Sequence, residues 1–278
     1  MSKALDLYAV AGNPVDHSLS PRIHALFAEA TGQAMEYTRL PVPHGQFDVT
    51  VGAFFEAGGC GLNITLPCKQ DAYRWVTPAR CDAAAARAQA VNTIVRHGDD
   101  YLGYNTDGVG LVRDLEHLGV TLSGSRILLL GAGGAVQGVL PALIGKTPAS
   151  IAIANRTAAK AADCVRRFGQ SGVPLRVEDA ATTTATFDLV INGTSAGLTG
   201  SGLDVADGVL REAVCYDMMY GPKAVFVTRA RSVSRYGAFD GLGMLIEQAA
   251  EAFRLWRGVH PDTRQVRTLL GAQVERGR

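Results

Sequence analysis

Two polar stretches of this 278-residue chain carry side chains that their local structure does not call for. In "NITLPCKQ" (63–70), Pro67 suits the first turn of a helix that continues through "KQDAYRWV". Lys69 then falls in that turn, where unpaired N–H groups make the potential positive and a cation is the wrong charge. In "GYNTDG" (103–108), Asp107 precedes a helical pattern, and a carboxylate there can serve as a helix N-cap. Asn63, Thr65, Asn92, Asn105 and Thr106 keep the two company at expected strand ends and turns, although asparagine is poorly suited to strands. Taken alone, the lysine could be a solvated side chain and the aspartate a cap. Gathered at the strand ends of an α/β sheet, such groups face a ligand crevice.

A second set of residues points to a dinucleotide. "RILLLGAGGAVQGVL" reads as a strand, a glycine turn and a helix start, the context in which backbone N–H groups can hold a pyrophosphate. Gly131 and Gly133 fit the G-x-G-x-x-G spacing, but Val stands at 136 and the next glycine is Gly138. A turn made only for close packing would look similar. The following strand ends in "ANRTAAK", where an NAD-binding unit usually offers a carboxylate to the ribose. Asn155, Arg156 and Thr157 are instead donors suited to a 2′-phosphate, and Lys160 adds charge one turn later. NADP is the expected cofactor.

The elements that must position these groups alternate between strand and helix, which calls for largely parallel sheets covered by helices. "LYAVAG", "MEYTRLPV" and "GLNITL" read as strands. "SPRIHALFAEATG" reads as a helix capped by Ser20, opened by Pro21 and stopped by Gly32. "VNTIVRHGDDYLGYN" looks like two strands joined by a Gly-Asp-Asp turn. From "RILLLGAGG" a fresh series begins, with strands at "SIAIANR", "PLRVED", "FDLVING" and "AVCYDM" and a long amphipathic helix at "GLGMLIEQAAEAFRLWRG". The boundary between the two series is expected near 105–124.

Composition narrows the classes. With 47% hydrophobic and 19% charged residues the chain is globular, and its net charge of +1 gives no reason to expect a nucleic acid or an acidic membrane as partner. Five cysteines (60, 68, 81, 164, 215) without C-x-x-C spacing read as reduced thiols of a cytoplasmic protein, with no metal site. "ILLLGAGGAVQGVLPALIG" (127–145) is uncharged, but its glycines and Pro141 favour strand, turn and helix over a membrane span. Asp6 interrupts the early apolar run, which argues against a signal peptide.

Along almost its full length the chain resembles the shikimate dehydrogenases. The resemblance rests on "SLSPRIHALF", "GLNITLPCKQ", "AVNTI", "GYNTDGVG", "GAGGA", "NRT", "INGTSAGL", "YDMMY" and "DGLGMLIEQAAEAF", in that order. It implies two α/β domains with the active site in the cleft between them. One would be a substrate and catalytic domain with a mixed, mostly parallel sheet (1–106 with 241–278). The other would be a Rossmann-like NADP domain (107–240). It implies reversible, NADPH-dependent reduction of 3-dehydroshikimate to shikimate by a monomer or homodimer. Lys69 and Asp107 would be the catalytic pair. Ser18, Ser20 and Tyr220 would hold the substrate carboxylate, and Thr65, Asn92 and Gln248 the ring hydroxyls. Gly131, Ala132, Gly133, Gly134, Ala135, Asn155, Arg156 and Thr157 would hold NADP, with Met218 and Gly241 near the nicotinamide. Read locally, Ser20 already has a duty as a helix cap, Ser18 has none, and Gln248 could simply face water. Tyr104 and "GPKAVFVTRARS" (221–232) depart from the family pattern. The alternatives are a quinate/shikimate dehydrogenase of broader specificity and a non-catalytic NADP-sensing module. The presence of both Lys69 and Asp107 speaks against the latter.

Overall fold

Among residues 5–194 and 203–276, which this computed structural model describes, the chain forms two sheets. In the first, β1 (Asp6–Gly12), β2 (Met35–Pro41), β3 (Gly59–Ile64), β4 (Thr93–His97) and β5 (Asp100–Tyr104) lie in the order β2-β1-β3-β4-β5. Helices α1 (Ser20–Thr31) and α2 (Phe47–Glu56) supply the crossovers that let β1 run parallel to β2 and β3. The short turn at Gly98, whose φ is 62°, joins β4 to β5 as an antiparallel hairpin, and β4 is also antiparallel to β3. The sheet is therefore mixed.

The second sheet contains β6 (Arg126–Leu130), β7 (Ser150–Ala154), β8 (Leu175–Val177), β9 (Leu189–Asn192), β10 (Val214–Asp217) and β11 (Ala238–Asp240). Its order is β11-β10-β9-β6-β7-β8, and every pairing is parallel. The strand order reverses between β6 and β9, where a doubly wound sheet opens its ligand crevice. Both faces are covered, which explains the unbroken apolar run of β6. Ile127 and Leu129 pack into one cluster with Leu111, Val139 and Tyr216, while Leu128 and Leu130 pack into another with Val190 and Cys215. Cutting one of these fully buried leucines to alanine costs about 2–5 kcal/mol.

The remaining helices are α3 (Lys69–Val76), α4 (Ala83–Ala88), α5 (Asp107–His117), α6 (Gly134–Ile144), α7 (Ala158–Phe168), α8 (Asp207–Arg211), α9 (Val225–Val233), α10 (Leu242–Arg257) and α11 (Arg264–Arg276). The chain divides into two units, Met1–Gly110 with Leu245–Leu270 and Leu111–Met244 with Gly271–Arg278, so the three divisions fall inside helices α5, α10 and α11. Within the first unit, α10 is fastened to the sheet. The Trp256 indole donates to Ile94 O at 3.0 Å, and the Arg257 guanidinium reaches Asp6 and the Tyr8 hydroxyl. The uncharged segment 127–145 is strand, turn and helix, and no described helix is long and apolar enough to cross a membrane.

Three local expectations need correction. The strand "GLNITL" stops at Ile64, and α3 starts at Lys69 instead of at Pro67. The Leu66–Pro67 bond is cis, and the Cys68 amide donates to Thr65 O at 3.0 Å, so the proline shapes a turn before the helix. Ser20 is not the cap of α1. It is the first helical residue after Leu19, and its amide donates to the Ser18 hydroxyl at 3.3 Å, so the serine two residues upstream does the capping work. Gln248 does not face water; it is 9% exposed.

Candidate active site

The turn Thr65–Cys68 delivers Lys69 to the first position of α3, and the Lys69 carbonyl accepts from the Val91 amide at 2.9 Å, which ties the helix start to the segment before β4. Asp107 is likewise the first residue of α5, its amide held by the Asn105 side chain at 3.2 Å. Lys69 Nζ lies 2.5 Å from Asp107 Oδ2, with the side chains 21% and 9% exposed. This is a partly sheltered ion pair whose ammonium keeps some access to solvent.

Asn92 organises the surroundings of the pair. Its amide nitrogen donates to Asp107 Oδ1 at 2.8 Å and to Thr106 Oγ1 at 2.9 Å, and its oxygen accepts from the Thr106 amide at 2.8 Å. Gln248 Oε1 sits 3.5 Å from Asn92 Nδ2 and 3.4 Å from Thr106 Oγ1. Its own amide donates to Leu245 O at 2.9 Å. Asn105 donates to Ala90 O at 3.0 Å. Both oxygens of Asp107 are thus engaged, which fixes the plane of the carboxylate. Thr65 is half-buried on the turn leading into α3, and Tyr104 ends β5 two residues before this network.

The serines belong to the same unit, between β1 and the body of α1. Ser20 is buried; Ser18 lies on the loop before α1, where Arg39 donates to its carbonyl at 2.8 Å. Beneath them is an arrangement the sequence did not disclose. His24, one turn along α1 from Ser20, stacks on Tyr37 with ring centroids 4.2 Å apart. The Tyr37 hydroxyl donates to Asn63 Oδ1 at 2.7 Å, and Asn63 donates to Thr93 Oγ1 at 3.1 Å. Complete burial drives the His24 pKa down to about 3, with Asn63 opposing the shift, so the imidazole is neutral at ordinary pH. Its position on the apolar face between Ile23 and Phe27 was the one available signal.

The glycine turn of the second unit follows β6. Gly131 has φ +106°, and a Cβ there would come within 3.2 Å of Thr194 Cγ2, so a bare backbone is required. Ala132 is buried, while Gly133 and Gly134 are exposed and would have nothing within 4 Å of an added Cβ. α6 starts at Gly134, leaving its first amides open beside Gly133, Gly134 and Ala135. Val136, where the spacing departs from the usual glycine, is fully buried and belongs to the helix-to-sheet core. At the end of β7, Asn155 donates to Thr157 O at 2.9 Å and shapes the turn. Arg156, Thr157 and Lys160 are exposed, and neither cation has an ion-pair partner among the described residues. Open amides at a helix N-terminus and free cations one strand away suit a pyrophosphate and a second phosphate. Met218 follows β10 and Gly241 precedes α10, with the Gly241 amide donating to Met219 O at 2.9 Å. Tyr220, half-exposed, stands before a short turn (Gly221–Lys223), and the atypical segment continues as α9.

Family models match three successive stretches: the shikimate dehydrogenase substrate binding domain over residues 10–94, shikimate / quinate 5-dehydrogenase over 114–199, and the shikimate 5′-dehydrogenase C-terminal domain over 241–270. The chain is 50% identical over 264 residues to a shikimate dehydrogenase (NADP(+)) of Alkalilimnicola ehrlichii, covering 94% of this chain and 97% of the relative. It is 52% identical over 275 residues to that of Chromohalobacter salexigens, covering 97% and 99%. The solved structure of a Pseudomonas putida enzyme is similar with a TM-score of 0.89 at 41% identity, covering 95% of this chain and 98% of that one.

Proposed function

The chain belongs to the shikimate dehydrogenase family, and from that premise we propose that it catalyses the reversible, NADP-dependent reduction of 3-dehydroshikimate to shikimate. The observation that carries the reading is the Lys69–Asp107 pair at 2.5 Å, held in a buried amide and hydroxyl network. Reduction of a ketone needs a proton at the oxygen as hydride reaches the carbon, and oxidation needs that proton removed. The Lys69 ammonium is the proton donor in one direction, and its amine the acceptor in the other. Asp107 orients it. Asn92, Gln248 and Thr65 are assigned to the ring hydroxyls. Ser18 and Ser20 are assigned to the substrate carboxylate, and Tyr220 is kept as a further contact.

Bound NADPH supplies the hydride. The open amides of Gly133, Gly134 and Ala135 after Gly131 and Ala132 suit its pyrophosphate. Asn155, Arg156, Thr157 and Lys160 suit its 2′-phosphate, and Met218 and Gly241 are assigned to the nicotinamide end. The partner is a small molecule. The formal charge of +1 supports a protein that works without nucleic acid or an acidic membrane surface. A cytoplasmic monomer or homodimer is the reading kept from the sequence.

A spectrophotometric assay of purified protein with shikimate and quinate, each paired with NADP and NAD, tests the reading. Turnover concentrated in the shikimate and NADP pairing is expected. Comparable turnover of quinate would make the enzyme one of broader specificity. NADP binding without any turnover would replace the enzyme with a sensing module.

A further inference from the structure

Asp217 ends β10 and is only 1% exposed, a costly place for a carboxylate. No catalytic or binding role above uses it. Oδ1 accepts from the Asn192 side-chain amide at 3.1 Å and from the Met219 backbone amide at 3.0 Å. Oδ2 closes no hydrogen bond among the described residues. Burial is the main cause that raises its pKa to about 6, Asp240 adds to the rise, and the Met219, Asn192 and Phe226 amides oppose it.

Asn192 occupies the equivalent end of the adjacent strand β9, and its own oxygen accepts from the Thr194 amide at 3.1 Å and the Thr194 hydroxyl at 2.7 Å. One continuous link therefore runs from the turn at 217–219, through Asp217 and Asn192, to the turn at 192–194. Those turns converge on the glycine turn. A Cβ at Gly193 would meet Val136 Cγ2 at 2.5 Å and Met218 Sδ at 3.2 Å, and a Cβ at Gly131 would touch Thr194. All three turns lie at the carboxyl ends of strands, two of them (β6 and β9) flanking the switch point where doubly wound sheets take their ligand and the third (β10) next to β9. A buried carboxylate is a poor way to gain stability, but it fixes direction well, because removing one partner leaves the others unsatisfied.

We infer that Asp217 is a positioning residue for the dinucleotide, tying the turn after β9 to the turn after β10 so that Met218 and Gly193 form a fixed wall for its nicotinamide half. This rests on the NADP reading above, and the experiment separates the two. Wild type, Asp217→Ala, Asp217→Asn and Asn192→Ala are titrated with NADP and with adenosine 2′,5′-bisphosphate, which carries the adenosine and 2′-phosphate but no nicotinamide. Asp217→Ala should weaken NADP by roughly 10-fold or more, about the worth of a hydrogen bond to a charged group, with bisphosphate binding nearly unchanged. Asp217→Asn keeps an oxygen for Asn192 and Met219, so it should lose less than Asp217→Ala. Asn192→Ala should reproduce the selective loss from the other side of the link, and it decides the matter if Asp217→Ala fails to fold. Equal losses for both ligands would reduce Asp217 to general support of the domain, and unchanged NADP binding in Asp217→Ala and Asn192→Ala would remove the role altogether. If wild type bound the bisphosphate but not NADP more tightly, the nicotinamide wall would be wrong while the phosphate reading stood. If it bound neither, the cofactor reading itself would fall, and this inference with it.

Discussion

Asn92 donates to one oxygen of Asp107 at 2.8 Å while Lys69 takes the other at 2.5 Å, so a single carboxylate is held by the first residue of α3 and by the segment before β4. Lys69 and Asp107 each open a helix, and neither is spare. The lysine that is out of place by the charge of a helix N-terminus is matched by a carboxylate whose plane Asn92 fixes.

That arrangement gives the first prediction. Lys69→Met should lower kcat by roughly 10²- to 10⁴-fold, the range for losing a general acid–base group. KM for shikimate should change less, since other groups hold the ring. Asp107→Asn should be similarly damaging, and the double variant should lose far less than the product of the two, as expected for groups acting as one unit. Near-normal kcat in Lys69→Met would end the proton-transfer assignment.

The serines give the second. The Ser18 hydroxyl accepts from the Ser20 amide, so Ser18→Ala should cost both substrate affinity and some stability, about 0.5–1.5 kcal/mol for a hydrogen bond at a helix start. Ser20→Ala leaves that capping contact intact, because the Ser20 amide remains. Both should raise KM for shikimate and leave NADP affinity nearly unchanged. Urea midpoints and KM measured side by side check the split; unaltered KM in both variants would return the pair to a purely structural duty.

What the sequence could disclose follows from how far apart the interacting groups lie. The glycine turn, the hairpin at Gly98 and the stop of α1 at Gly32 were legible because each depends on a few adjacent residues and a positive φ. The turn at Pro67 was half legible: a proline marks a break, but whether it opens a helix or precedes it depends on contacts such as Asn13 N–H to Leu66 O at 3.1 Å. The exchange of duties between Ser18 and Ser20 turned on a shift of one residue in the helix start. Asn92 stood out among the polar groups at strand ends and Gln248 entered through resemblance, yet their mutual contact joins residues 156 apart in the chain, and no local pattern contains it. The stack of His24 on Tyr37 was invisible for the same reason, since "MEYTRLPV" says only that a strand is present.

His24 gives a pH prediction. Its folded pKa lies near 3 against an ordinary value of 6.5, so between those values the unfolded chain binds a proton that the folded one does not. The stability due to the neutral ring is complete above about pH 6.5 and is lost as pH falls toward 3. The loss is about 1.4 kcal/mol per pH unit once the unfolded histidine is charged. Asp217 acts in the opposite sense: its pKa is raised from 3.8 to about 6, so its folded form is favoured at low pH and that advantage fades through 6. The wild-type profile mixes the two. Denaturation midpoints of wild type and His24→Phe between pH 4 and 7 isolate the histidine, and the gap between them should move in favour of the variant as pH falls. A gap independent of pH would mean that the ring is not buried neutral.

The last prediction concerns the choice of cofactor. Arg156 stands at the end of β7, exposed and without an ion-pair partner among the described residues, and no carboxylate is present at that strand end to accept from a ribose hydroxyl. A guanidinium matches phosphate geometry, and a charge-assisted bond of this kind is worth about 1.5–3 kcal/mol, or roughly 10- to 100-fold in affinity. Solvent screening at an exposed site places the expectation at the lower end. Arg156→Ala should therefore weaken NADP by roughly 10-fold and leave NAD, which lacks the phosphate, nearly unaffected. Lys160→Ala should act in the same direction more weakly, because an ammonium contributes a point charge instead of a fork. Raising the salt concentration should weaken NADP more than NAD, since the distinguishing contact is ionic and open to solvent. Titrating both cofactors into wild type and the two variants at low and high salt checks all three statements. Equal losses for NADP and NAD in Arg156→Ala would mean that the guanidinium packs on the adenine or supports the turn beside Asn155, and the preference for NADP would then have to arise elsewhere.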